Sequence, residues 1–291
     1  MKKLALIFIT LAFSCSIPKQ NLSSSSSIPL NNDFKNYWFD GLAEISTYAL
    51  EQSRYGSPRM GSAVLIYVTE DFLPSAQVKA NQKSKSTNTI LKLNRTKNFL
   101  TGIYPYSIMT SVFSKLGQIR PLVKTTTSIQ EWCGHTYLQL NRRGGLDVKS
   151  HSYFEGEADR NLQFKDALTE EEIWTWIRTQ PELLPIGDFK ILPAFEFLQL
   201  KHKPLKLYNV KTTIDQNDSL NFYHMTYPEL FRKLSIKFST KAPFKILGWV
   251  EEDLKSTDKK TIAQIINTVK LPYWKLNKLG DESFRDSLGL N

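Results

Sequence analysis

The chain has 291 residues, with 38 Lys and Arg against 28 Asp and Glu and a formal net charge of +10. Its 41% hydrophobic and 12% aromatic content excludes a disordered or collagen-like chain and is enough for one large core or two small ones. The basic residues are scattered rather than massed in one stripe. Such a charge serves solubility or meets anionic lipid headgroups or polyanionic envelope polymers; no nucleic-acid partner is expected of a chain that carries an export signal.

The first element is a targeting segment. Lys2-Lys3 precede an apolar run over 4–13, the charged-then-apolar order of a secretory signal, and the run is shorter than the roughly 20 residues that span a bilayer. Ala12-Phe13-Ser14-Cys15 resembles the lipobox of bacterial lipoproteins, whose usual form is Leu, a small residue, Gly or Ala, then Cys; Phe13 departs from it. The resemblance implies a cleaved signal peptide over 1–14 and lipidation of Cys15. Residues 15–33 hold the serine run from Ser23 to Ser27 between Pro18 and Pro29 and read as a flexible tether, too polar to bury a core. The expectation is a protein of the bacterial cell envelope, held to a membrane by its lipid and facing the periplasm. Of two cysteines lipidation takes one, so Cys133 has no partner for an internal disulfide.

From 34 to 291 the pattern is that of a β-rich globular domain, in which two sheet units, if the domain divides, would meet near 155–190. Tyr37-Trp38-Phe39 before Asp40-Gly41 reads as a turn with aromatic anchoring at the domain entrance. A hairpin follows, 43–55 against 62–70, through a turn-rich stretch at 56–61. Runs rich in β-branched and aromatic residues predict strands over 88–94, 120–128, 130–141 and 146–154. Thr169-Glu170-Glu171-Glu172 is a capping box that starts a helix running to Arg178. Its three glutamates favour the positive end of the helix dipole and read as capping, not as paired catalytic carboxylates. Strands are predicted over 190–200, 205–214, 220–226, 234–239 and 244–251. A second helix is expected over 259–269, with Ile262, Ile265, Ile266 and Val269 on one stripe. The fold class is therefore mainly β: a curved antiparallel sheet or partly open barrel with one or two packed helices.

The segment 130–154 carries the most chemistry. Arg142-Arg143-Gly144-Gly145 between two alternating runs is a hairpin signal. Even positions of the first run (Trp132, Thr136, Leu138, Leu140) form an apolar face, and odd ones (Glu131, Cys133, His135, Tyr137, Gln139) a polar one. A two-residue loop would set Ser152 and Phe154 opposite that polar face; a three-residue loop would set His151, Tyr153 and Glu155 there. Cys133 with His135 or His151 is thus the candidate thiol site. Side chains two apart on a strand lie roughly 7 Å from one another, however, too far for direct proton transfer. The same three residues match no standard zinc spacing, and no metal or cofactor is expected. Trp132, Tyr137 and Tyr153 are candidate binding aromatics. His202 reads as solvated and His224 as a sheet histidine. Phosphate-loop, dinucleotide and HExxH motifs are absent from the sequence.

The run from Tyr37 to Tyr48, with Gln52-Ser53-Arg54-Tyr55-Gly56 and Glu131-Trp132-Cys133-Gly134-His135, resembles a family of uncharacterised bacterial envelope lipoproteins. Proteins of that kind are sometimes labelled septum formation inhibitor Maf. The Maf family proper are cytoplasmic nucleotide pyrophosphatases with a Ser-x-Ser-Pro-Arg-Arg hallmark, where this chain has Gly56-Ser57-Pro58-Arg59-Met60. A strand-rich exported protein of this size is also similar to open-barrel carriers that hold an apolar ligand against a curved sheet. The leading expectation is non-catalytic binding of an apolar or amphipathic envelope component, or of an envelope protein. An envelope enzyme using Cys133 is the alternative, and a Maf-like pyrophosphatase stands last.

Overall fold

The computed structural model describes residues 29–290; the expected signal, Cys15 and most of the expected tether lie outside them. In chain order, α1 (Asn32–Trp38) precedes β1 (Ala43–Arg54), β2 (Ser57–Leu73), β3 (Val78–Lys79), β4 (Asn88–Thr101), β5 (Tyr104–Lys115), β6 (Leu122–Glu131), β7 (Gly134–Arg142), β8 (Leu146–Ser152) and β9 (Arg160–Phe164). Next come β10 (Leu168–Thr169), α2 (Glu170–Thr179), β11 (Gly187–Leu192), α3 (Phe195–Leu200), β12 (Tyr208–Gln216) and β13 (Leu220–Tyr227). The chain ends with β14 (Arg232–Ser239), β15 (Ile246–Asp253), β16 (Ser256–Leu271) and α4 (Phe284–Ser287).

All sixteen strands belong to one sheet. Two antiparallel meanders, β1 to β9 and β11 to β16, are joined where β16 pairs with β1. The sheet's edges are β9 and the short β10, which runs parallel to β11. Only residues 165–167 link those edges, so the stretch 155–190 carries the seam of a single curved sheet. Side chains from both meanders meet α2 and α3 in one apolar core on the concave face, among them Tyr48, Leu93, Leu138, Trp176, Leu198, Tyr223 and Trp249. On the convex face Ala43, Ile45, Val64 and Val68 are covered by Tyr273, Leu288 and Leu290 of the C-terminal segment.

The fold is mainly β and curved, as the strand patterning predicts, but four local expectations are corrected. The segment 259–269 is strand, not helix: it lies within β16. Thr47 pairs with Asn267 and Tyr48 with Ile265, leaving Ile266 as an extra residue in a bulge. A bulge reverses which alternate positions face inward, so an apolar spacing of three and four arises in a strand. Residues 190–200 are not one strand either. Pro193 follows β11, and the buried run from Phe195 to Leu200 closes into α3; a short apolar run does not itself distinguish strand from buried helix. The run 130–141 breaks at a turn, because Glu131 pairs with Gly134. The second half of β4 has no counterpart among the expected strands, since the inward face of β4 reads Leu91, Leu93, Arg95, Lys97, Phe99 and so imitates a surface strand; β5 also lies outside the expected strands.

Register defines two ends. At one, here the near end, Ala43 pairs with Leu271 and α1 enters the fold. At the far end lie the turns 55–56, 102–103, 132–133 and 254–255. Close to the far end β2 presses on β4 at Gly61, where a Cβ would stand 2.1 Å from the Asn98 carbonyl oxygen.

Candidate functional site

Helix α2 is surrounded by wall, and every residue from Glu170 to Arg178 is buried. Consecutive helical residues point about 100° apart, so the three glutamates of its first turn face three different strands. Glu170 takes Arg232 of β14, whose Nη1 and Nη2 donate at 2.5 and 2.7 Å. Glu171 accepts from Arg95 of β4 at 3.0 Å. Glu172 accepts from Arg142 of β7 at 3.1 Å while also accepting the Thr169 N–H at 2.8 Å, completing the capping box. Lys97, next to Arg95 on the inward face of β4, donates to Glu196 of α3 at 2.6 Å. At the other end of α2, Arg178 clamps Glu44 of β1 with two bonds of 2.6 and 2.8 Å. The capping reading of the glutamates is therefore incomplete. Their partners could have been found as arginines in phase with otherwise apolar strand faces: Arg95 after Leu93, Arg142 after Leu140, Arg232 before Leu234.

Burial alone would neutralise these carboxylates, but the paired cations decide the outcome. For Glu44 and Glu170, desolvation is outweighed by Arg178 and Arg232, and both carboxyls sit below their usual range. Glu171 is the exception. Desolvation, with Glu170 and Glu196 alongside, outweighs Arg95 and raises it, and its Oε1 finds no hydrogen-bond partner among the described residues. The concave face, where an open-barrel carrier would hold its ligand, is thus filled by the chain's own helices and ion pairs. This corrects the carrier analogy for the interior.

Space for a ligand lies at the ends. At the near end a cleft of about 450 Å³ opens between α1, the last turn of α2 and the loop before β15, within the roughly 300–1,000 Å³ range of small-molecule sites. Phe34, Tyr37, Trp38, Pro243 and Phe244 make its walls, Asn31, Asp33 and Asn36 part of its rim, and Arg178 its floor. That guanidinium is fixed by Glu44, by the Pro243 carbonyl at 2.9 Å, and by its place over the rings of Trp38 and Tyr67. The Tyr37 hydroxyl donates to Glu44, and burial followed by that carboxylate pushes the phenol pKa up. The floor is therefore rigid and charge-balanced, while the walls are aromatic. A smaller cleft of about 210 Å³ at the far end is lined by Lys201, Lys203, Phe231, Arg232, Glu251 and Lys255, among others.

The thiol candidates lie elsewhere. Cys133 is exposed in the β6–β7 turn rather than on a strand face with His135. Its N–H donates to Glu131 at 2.7 Å, and a bond from the thiol to that same carboxylate pushes the thiol pKa up. His135 and Tyr137 point outward from β7. The β7–β8 loop has three residues, placing His151 opposite Tyr137 with stacked rings 6.4 Å apart and its Nδ1 3.2 Å from Asp159. Trp132 stacks on Tyr104 at 6.2 Å, and Tyr153 stands in solvent after β8. His202 is half-exposed but bonded to Glu157 at 2.6 Å, and His224 sits between Ser235 and Asp215. Among the described residues no three His, Cys, Asp or Glu side chains are grouped to hold a metal ion, and no helix is long and apolar enough to cross a membrane.

No protein-family model matches the chain, and no curated protein matches it. Among solved structures it is similar to a beta-barrel-like protein of the domain of unknown function DUF1849 from Brucella abortus. The two are 7% identical, with a TM-score of 0.49, over 79% of this chain and 98% of that one.

Proposed function

We propose that the protein is a non-catalytic binding protein of the bacterial cell envelope, lipidated at Cys15, that holds the apolar part of an amphipathic ligand in the near-end aromatic cleft. The observation that carries this reading is the cleft itself: ligand-sized, walled by Phe34, Tyr37, Trp38, Pro243 and Phe244, and floored by an arginine whose hydrogen bonds are already taken. Along the chain, the expected tether over 15–33 leads into α1, so the cleft's wall is the first element after the proposed lipid anchor in sequence. Cys133 lends no support to a thiol enzyme, because a nucleophilic cysteine needs a depressed pKa and Glu131 acts in the opposite direction.

The test is displacement of 1-anilinonaphthalene-8-sulfonate from the protein by lysophosphatidylglycerol, followed through probe emission. Phe34→Ala with Phe244→Ala should weaken displacement by about tenfold or more, since each buried aromatic contributes on the order of 1.5–3 kcal/mol. Unchanged affinity in the double variant would remove the cleft from consideration.

A further inference from the structure

The far end of the barrel is built on two-residue turns at 55–56, 102–103, 132–133 and 254–255. Such turns favour Gly, Asn and Asp, which tolerate the backbone and are at home in water. Here each carries a large apolar side chain in solvent: Tyr55 is 58% exposed, Ile103 84%, Trp132 68% and Leu254 49%. Tyr153 past β8 and Phe231 between β13 and β14 extend the set. Tyr55 and Phe231 hold φ of 54° and 51°, a region that disfavours bulky residues. At the near end the hairpin turns Arg143-Gly144-Gly145 and Asn217-Asp218-Ser219 are polar.

Tyr55 and Trp132 are linked through Tyr106 and Tyr104, whereas Ile103, Leu254 and Phe231 stand on other turns. A bilayer's headgroup layer receives protruding side chains whether or not they touch one another, and favours Trp and Tyr. Lys201, Lys203 and Lys255 line the cleft at this same end and make no ion pair among the described residues. Of the carboxylates nearby, Glu157 is engaged by His202, Glu229 by Lys206 and Glu252 by Lys260, while among the described residues Asp253 accepts only the Lys255 backbone N–H. The ammonium groups of Lys201 and Lys203, with that of Lys255 over the Phe231 ring at 3.8 Å, stand beside the apolar tips and complement a negatively charged lipid surface. We propose that the far end docks, tips first, on the headgroup layer of an anionic lipid bilayer.

Cys133 sits at one of the tips and supplies the probe. In the full chain carrying Cys15→Ser it is the remaining thiol, and an environment-sensitive nitrobenzoxadiazole label on it reports where that tip lies. Vesicles of phosphatidylglycerol in phosphatidylcholine should shift the emission to the blue and brighten it, less so at high ionic strength; pure phosphatidylcholine should act far more weakly. Ile103→Asp with Tyr153→Asp should weaken the response about tenfold or more, as should Lys201→Glu with Lys203→Glu and Lys255→Glu, which removes the attraction to anionic headgroups. If the chain sediments with vesicles while the label keeps its emission in water, the N-terminal segment is binding and the far end is not, which overturns the proposal. A spectral change that follows protein concentration without lipid would overturn it in favour of a second copy of the chain. Near-UV circular dichroism checks that each variant is folded, and the two sets of substitutions fail independently. None of these readouts involves the near-end cleft.

Discussion

Inside the barrel Glu44, Glu170, Glu171, Glu172, Arg95, Arg178 and Arg232 are all buried, while at its far end Tyr55, Ile103, Trp132 and Leu254 stand in water. Each set occupies the place where the other is ordinarily found. The fold accounts for the inner one. A helix enclosed on every side meets four different strands, and each charge on it finds an opposite charge on the wall, which fixes the helix in rotation and depth. It accounts for the outer one only in part: Tyr55 bonds to Tyr106 and Arg54 and Trp132 stacks on Tyr104, but Ile103 buries almost nothing, and Tyr55 and Phe231 sit where a smaller residue would strain less. Side chains placed by the fold inform about stability; those the fold does not place inform about what the protein meets.

The sharpest way to break the inner half of this comparison is at Arg178. Arg178→Met leaves the Glu44 carboxylate buried opposite an apolar side chain, and removing one partner of a buried pair costs about 3–5 kcal/mol. Urea unfolding should show that loss, and Glu44→Leu together with Arg178→Met should recover most of it, because no charge is then stranded. A single-variant loss below about 1 kcal/mol would mean that the pair does not seat the helix.

Gly61 tests whether nearness to the far end is enough to free a residue from the fold. A Cβ there would meet the Asn98 carbonyl at 2.1 Å and the Phe99 Cβ at 2.7 Å, both on an adjacent strand that cannot step aside without losing its pairing. Gly61→Ala should cost about 3 kcal/mol, the upper part of the range for overpacking, read as a fall in the urea midpoint. A neutral result would mean that the β2–β4 contact is softer than its register implies.

The sequence displays the parts of this arrangement but not its pairings. The capping box of Thr169 and Glu172 and the alternation of Thr136, Leu138 and Leu140 follow from local chemistry, and the structure has both; the first hairpin turn is tighter than its Gly and Pro content predicts, since 57–61, expected as turn, is the start of β2. The far half of β4 escapes because Arg95 and Lys97 point inward, and what makes that tolerable, Glu171 and Glu196, lies far along the chain. The bulge at Ile266 is invisible without knowing that β16 pairs with β1. Tyr37 and Trp38 show as aromatic anchors at the domain entrance; that they wall a cleft depends on Pro243 and Phe244, brought opposite only by the closing of the second meander.

Within the inner set, neighbouring glutamates should respond in opposite directions. Glu170 has a lowered pKa, so its contribution is present above the unfolded value of about 4.3 and is lost as pH falls through the folded value. Glu170→Gln should therefore cost about 2–3 kcal/mol at pH 7, as for other hydrogen bonds to charged groups, with the loss shrinking on acidification. Glu171 has a raised pKa: its charge is a burden that is absent below about pH 4.3 and grows as pH rises through the folded value. Glu171→Gln should be neutral or stabilising at pH 7, by no more than about 1 kcal/mol, with the difference vanishing in acid. Urea titrations of both variants at pH 7 and pH 4 decide the matter, and equal losses at pH 7 would remove the distinction between the two carboxylates.

The smallest effects belong to the tips, and their smallness is what the comparison requires. Ile103→Asn replaces an 84% exposed side chain in a two-residue turn, beside Gly102 with φ of 62°, by a residue such turns prefer. Stability should stay within about 0.5 kcal/mol of the parent, with any change tending upward. Trp132→Ser should lie near the lower limit of that range, because it gives up a stack on Tyr104. Tyr55 should lose more, about 1 kcal/mol on replacement by Ser, since its hydroxyl meets those of Tyr106 and the Arg54 guanidinium. Tyr55 thus serves the fold in part, whereas Ile103 does not. A loss above about 1 kcal/mol at Ile103 would place that tip in the support of the fold and remove the reason for seeking a partner at that end. A neutral or positive change leaves a large apolar side chain held in water with no structural return, and the bilayer as the surface that would bury it.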